Sequence, residues 1–130
     1  MLLDTSGLYC YFDKDDRLND LAVEHFESSD SMLVTDYVLA EFVPLCHVRG
    51  LNRTRTLDFV EAILTSPLIE TVWTTETHYL HALALLKLRK DKSYSICDAV
   101  SFRLMAERGL TEALTTDKHF EQEGFIRLLK

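Results

Sequence analysis

Short apolar runs separated by long stretches of helical periodicity constrain this chain more than any other feature. MLL (1–3), MLVT (32–35), IETVW (69–73), EALTT (112–116) and FIRLL (125–129) are too short for helices and are bounded by polar or turn residues, so each reads as a strand. Helical patterns fill the gaps at 18–28, 37–49, 53–65, 75–90 and 96–108. Gly50 and Gly109 follow Arg49 and Arg108 where C-terminal caps are expected, and Asn52 stands where it caps the next helix. Alternating strands and helices predict an α/β fold, a parallel sheet covered on both faces. Right-handed crossovers then leave only a few doubly wound strand orders.

In such sheets, sites form beyond the carboxyl ends of the strands, where the winding reverses. Two of the runs lead straight into an acid: MLL into Asp4, and EALTT into Asp117. If those strands are neighbours, both carboxylates enter one crevice. Glu41 interrupts TDYVLAEFVPLCHV, a segment apolar on almost every face, and Asp98 opens the helix DAVSFRLMAERG. Little wet surface is therefore expected around Glu41.

Each acid also has a structural reading. Ser95-Ile96-Cys97-Asp98 fits a capping box, and Asp117 can cap a short helix through HFEQE. Asp4 with Thr5 and Ser6 suits a turn, and Glu41 suits a salt bridge to an arginine. Taken together, converging carboxylates must take up protons or share a cation. Oxygen ligands of this kind favour Mg2+ or Mn2+, and with them phosphodiester chemistry, in which the cation acidifies water and stabilises charge on phosphorus.

Composition limits the partners. The 130 residues predict a single domain over 1–130, and 14 Lys and Arg against 21 Asp and Glu give a net charge of −7. Such a surface does not attract nucleic acid in general, so any polyanion must be held locally or through a metal. Arg49, Arg53 and Arg55 form one basic grouping that is a candidate contact for nucleic-acid phosphates, and Lys87, Arg89, Lys90 and Lys92 another, although cations at helix ends also answer the macrodipole. Cys10, Cys46 and Cys97 are odd in number and lack CxxC spacing, which predicts free thiols and a cytoplasmic protein. Neither a signal peptide nor a membrane span is read. Asp36 reads as a helix N-cap, and His78 and His81 as surface residues without the companions of a zinc site. Pro44, inside the helical pattern that holds Glu41, predicts a kink that sets the direction of that side chain.

Four segments carry a resemblance: LLDTSGL at the N-terminus, VLAEFV around Glu41, YSICDAVSFRLMAERG around Asp98, and LTTDKHFEQEGF around Asp117. In this order they resemble the PIN domain, and the compact length resembles the VapC toxins, the ribonuclease halves of bacterial and archaeal toxin–antitoxin pairs. The resemblance implies a three-layer α/β/α sandwich with a central four- or five-stranded parallel sheet. It also implies an Mg2+- or Mn2+-dependent endoribonuclease in which Asp4, Glu41, Asp98 and Asp117 are the catalytic, metal-ligating quartet, with Ser6 and Thr116 in support. RNA is then the substrate, an antitoxin protein the partner that covers the acidic crevice, and a homodimer the expected assembly. The alternative is a PIN-like module that binds RNA or protein without cutting. Two other readings of the fold lose support. A phosphatase with a DxD motif would need an acid where Ser6 stands, and a receiver needs an acceptor Asp at the end of IETVWTT, which has none.

Overall fold

A computed structural model describes residues 1–130. Five strands, β1 (Leu2–Leu3), β2 (Met32–Thr35), β3 (Ile69–Val72), β4 (Glu112–Leu114) and β5 (Ile126–Arg127), form one parallel sheet in the order β3-β2-β1-β4-β5. Seven helices connect and cover them: α1 (Thr5–Phe12), α2 (Asn19–Glu27), α3 (Asp36–Val48), α4 (Arg53–Thr65), α5 (Glu76–Leu88), α6 (Ile96–Arg108) and α7 (Lys118–Gln122).

The strands are short, and β1 and β2 are fully enclosed because their side chains alternate between two cores. Leu3, Met32, Val34 and Leu114 point to one face with Leu8, Val38, Phe42 and Ile63 from α1, α3 and α4. Their neighbours Leu2, Leu33 and Ala113 point to the other, with Ala82, Phe102, Met105 and Phe120 from α5, α6 and α7. The sheet is therefore the middle layer of three. From β1 the chain winds outward through β2 to β3, then returns to the opposite side of β1 as β4. Registers of Leu2 with Ala113 and Leu3 with Leu114 make β1 and β4 neighbours at that reversal. The crevice of an open sheet belongs at this reversal.

Local signals explain most helix ends. Ser95 closes a capping box on α6, Asn52 accepts from the Arg55 amide at the start of α4, and Gly109 ends α6 with a left-handed φ of 65°. Two expectations differ from the structure. Thr35, and not Asp36, caps α3, its hydroxyl accepting from the Val38 amide. Asp36 instead ties α3 to the end of β3, its Oδ1 accepting from the Thr74 amide at 2.7 Å and hydroxyl at 2.6 Å. A carboxylate one residue inside a helix is free to reach across to a neighbouring strand end, and here two donors await it.

The second difference is α1. TSGLYCYF has weak helix propensity and no periodic apolar stripe long enough to announce it, so the segment after Asp4 reads as a turn. Packing supplies what propensity does not: Leu8, Tyr9 and Cys10 are buried, and Gly7 lets the helix lie directly on β4. A Cβ at Gly7 would stand 1.8 Å from the Leu114 carbonyl oxygen. The three cysteines are free and buried, and no helix is long and apolar enough to cross a membrane.

Candidate active site

The cleft lies beyond the carboxyl ends of β1 and β4. Asp4, Thr5, Ser6, Glu41, Ser93, Ser95, Asp98, Thr116, Asp117 and His119 line it, with Leu45 the sole apolar contributor. The four acids singled out in the sequence thus come together from four separate places: the end of β1, the middle of α3, the first turn of α6, and the residue before α7.

Asp4 occupies the dry end. It is 5% exposed, and its Oδ2 accepts from the Thr115 hydroxyl at 2.7 Å and from the Ser6 hydroxyl at 3.2 Å. No basic side chain forms an ion pair with it. Burial pushes its carboxyl up to about 7, opposed by the Thr115 hydroxyl and reinforced by the charge of Asp98. Ser6 links the two strand ends, since its Oγ also accepts from the Thr116 amide at 3.0 Å.

Asp98 and Asp117 occupy the wetter end. The Oδ2 of Asp98 accepts from the Ser95 amide at 3.0 Å, completing the capping box, and lies 3.2 Å from His119 Nδ1. Cap and cleft residue are therefore the same carboxylate. Burial raises the Asp98 pKa, with the Ser95 amide and His119 pulling the other way. Asp117 caps α7 through Oδ1, which accepts from the His119 amide at 2.9 Å, while its Oδ2 lies 3.5 Å from His119 Nδ1.

Glu41 corrects an expectation. It is exposed, on the one face of α3 that looks into the cleft, and forms no salt bridge to an arginine; the Thr5 hydroxyl donates to its Oε1 at 2.9 Å. Apolar neighbours in sequence did not imply apolar neighbours in space, because Leu39 and Phe42 turn into the core while Glu41 turns to the cleft. Pro44 sits inside α3, which continues to Val48.

Two participants were not legible as such. Beside Ser6, a second hydroxyl reaches Asp4 from Thr115, fully buried; Thr116 contributes its backbone, donating to Ser6 and accepting from Arg127. His119 carries no signal of its own within HFEQE, although the spacing Asp117-x-His119 across a helix start places both side chains on one edge. Ligand atoms of Asp98, Asp117 and His119 all lie within 4.8 Å of one another. These donors fit a divalent cation: two carboxylates and an imidazole converge, and the nearby Asp4 carboxyl has no cationic partner.

Of the basic residues, Arg49 lies close to the cleft, packed over the Tyr9 ring at 4.7 Å, whereas Arg55 lines separate depressions beside α4 and Arg53 lines neither. Arg89 is committed to Glu123 at 2.6 Å. His78 completes a capping box with Thr75, and His81 approaches Glu107 at 3.7 Å, so neither belongs to a metal cluster.

A family model for the PIN domain matches residues 1–125. Among solved structures, Mycobacterium tuberculosis VapC20, described as a Sarcin-Ricin loop cleaving toxin, aligns with a TM-score of 0.89 at 24% identity, covering 99% of this chain and 98% of that one. At that identity the likeness speaks for the shared fold. No curated protein matches the chain.

Proposed function

The chain belongs to the PIN-domain family, and from that premise we propose that it is a divalent-metal-dependent endoribonuclease, the toxin of a toxin–antitoxin pair. The observation that carries this reading is the convergence of Asp4, Glu41, Asp98 and Asp117 from four elements into one polar cleft. A structural role for each alone would not require them to face one another, and their mutual repulsion is a standing cost unless positive charge enters.

Asp4, Asp98, Asp117 and Glu41 would hold Mg2+ or Mn2+, with His119 adjoining. When bound, the ion acidifies water and neutralises charge that develops on phosphorus. The rest is work for the protein. Thr115 and Ser6 donate to Asp4 Oδ2 and hold that carboxylate in one orientation. Thr5 holds Glu41 at the exposed rim of the cleft. His119 Nδ1 spans Asp98 and Asp117, and Ser93 Oγ lies 3.2 Å from its Nε2, so the imidazole plane is set from both sides. Cys97 takes no part, since burial raises its thiol pKa and keeps it protonated.

An antitoxin partner and a homodimer belong to the same proposal. The apolar groove between α2 and α4, lined by Tyr11, Val23, Phe26, Phe59 and Ile63, supports a protein partner on that side.

The test is cleavage of a mixed RNA pool by purified protein in Mg2+ or Mn2+. Cleavage abolished by chelator, and reduced by roughly 10³-fold in Asp98→Asn, is the expected result. Asparagine keeps the helix cap, so loss of activity in a protein that still melts cooperatively assigns the charge to chemistry. Cleavage that survives both treatments sinks the reading, and a folded wild-type protein that binds RNA without cutting it favours the binding module.

A further inference from the structure

A second groove of about 310 Å³ adjoins the acidic cleft and shares Ser6, Leu45 and Thr116 with it. Its charged lining is Arg17, Arg49, Arg127, Lys130 and one carboxylate, Asp16. In a chain whose net charge is −7, four cations in one groove are a local reversal of sign. The cations come from three distant parts of the sequence, and only Arg49 belonged to a grouping visible there.

The groove's geometry favours phosphate over a structural use of these charges. Arg49 rests on the face of Tyr9, a buried ring whose hydroxyl donates to Asp13 Oδ2 at 2.8 Å, so the guanidinium is held on a fixed platform. Neither Arg17 nor Arg49 is committed to an ion pair, while Arg127 and Lys130 share Glu121 at 3.3 Å and 2.8 Å. Asp16 is turned to the backbone, its Oδ1 accepting from the Leu18 amide at 2.8 Å. Arg127 is largely enclosed and donates to the Thr116 carbonyl at 3.0 Å, one residue before Asp117. The wall of the basic groove and the rim of the acidic cleft are thus the same strand end.

We propose that this groove carries the RNA phosphates that flank the one held in the acidic cleft, with Arg49 and Arg17 as direct contacts, Lys130 adding charge from the rim, and Arg127 fixing the wall. The proposal deepens the nuclease reading and rests on it for the identity of the polymer. Carboxylates alone repel a phosphodiester strand, and guanidinium forks beside them supply the opposing attraction. Contacts of this kind position the strand and carry no base information.

The test is fluorescence anisotropy of a short labelled single-stranded RNA on the Asp98→Asn protein, which leaves the RNA intact, titrated over salt at fixed magnesium. Adding Arg17→Gln and Arg49→Gln is expected to flatten the slope of log affinity against log salt by about 1.4, so that between 50 and 200 mM salt the parent loses about sevenfold more affinity than the variant. Arg49→Lys keeps the charge and is expected to keep most of the slope. Arg103→Gln, an exposed cation of α6 that lines neither groove, is expected to leave it unchanged. An unchanged slope in the double variant, or an equal loss in Arg103→Gln, overturns the proposal. Cleavage by the wild type measured in parallel separates the two readings: cutting with a groove-independent slope removes the groove and leaves the nuclease. A groove-dependent slope without cutting does the reverse, and no RNA binding at all removes both.

Discussion

Asp4 and Asp98 share one cleft, yet the first is buried among hydroxyls and the second lies against a helix start and an imidazole. Hydroxyls can donate to a carboxylate but bring no charge, so burial prevails and the Asp4 carboxyl is held near 7. At the other end the Ser95 amide and His119 oppose burial directly. The difference teaches how a single cleft can hold several acids: one end stores a proton, the other is partly compensated by groups the helices place there. A divalent cation would relieve both, the first by releasing its proton and the second by replacing the imidazole's share.

The strongest way to break the comparison is to open the dry end. Gly7→Ala puts a methyl group against the backbone of Leu114, which cannot swing aside as a side chain would. Separation of α1 from β4 is expected, with a loss on the order of 4 kcal/mol or more. Chemical denaturation measures it; a loss below about 1 kcal/mol would show that α1 is not seated as described.

A pH series sharpens the contrast next. Asp4 has a folded value near 7 above an ordinary value of 3.8, so the folded state binds the extra proton between them. Its contribution to stability is complete below 3.8 and is lost as pH rises through about 7, by up to roughly 4 kcal/mol over the whole window in chelator. Asp4→Asn is expected to remove that slope. A wild-type slope no steeper than that of the variant would mean that Asp4 is not desolvated.

Smaller effects address the wet end and the rim. His119→Ala is expected to weaken Mn2+ binding by about tenfold and Mg2+ binding by less, because nitrogen donors favour the softer ion. Calorimetric titration with each metal decides it, and equal losses would relegate His119 to orienting the acids. Thr5→Val frees Glu41 from its tether, and a roughly threefold fall in metal affinity is expected for one hydrogen bond at an exposed site. No change would place Glu41 outside the metal-binding set.

Much of this architecture is legible in the chain itself. The boundaries of β2, α4 and α6 follow from apolar periodicity, Asn52, Ser95 and Gly109, all signals carried within a few residues. The four acids stand out for the same local reason, as charges at the ends or in the middle of apolar segments. What failed was inference about surroundings. Glu41 looks buried by its neighbours in sequence, and Asp36 looks like a cap. In each case the answer depended on which side of its element faces another.

The sequence by itself determined most of the alternating elements, most of the caps and the set of acids, because periodicity and capping depend on contacts no more than about one helical turn away. Only the tertiary structure decided that Asp4 adjoins Asp98, that TSGLYCYF is a helix, that Thr115 and His119 complete the cleft, and that Arg17, Arg49, Arg127 and Lys130 share a groove. Those facts follow from placing β4 beside β1, and that placement is a property of two cores packed on opposite faces of one sheet, which no short segment encodes.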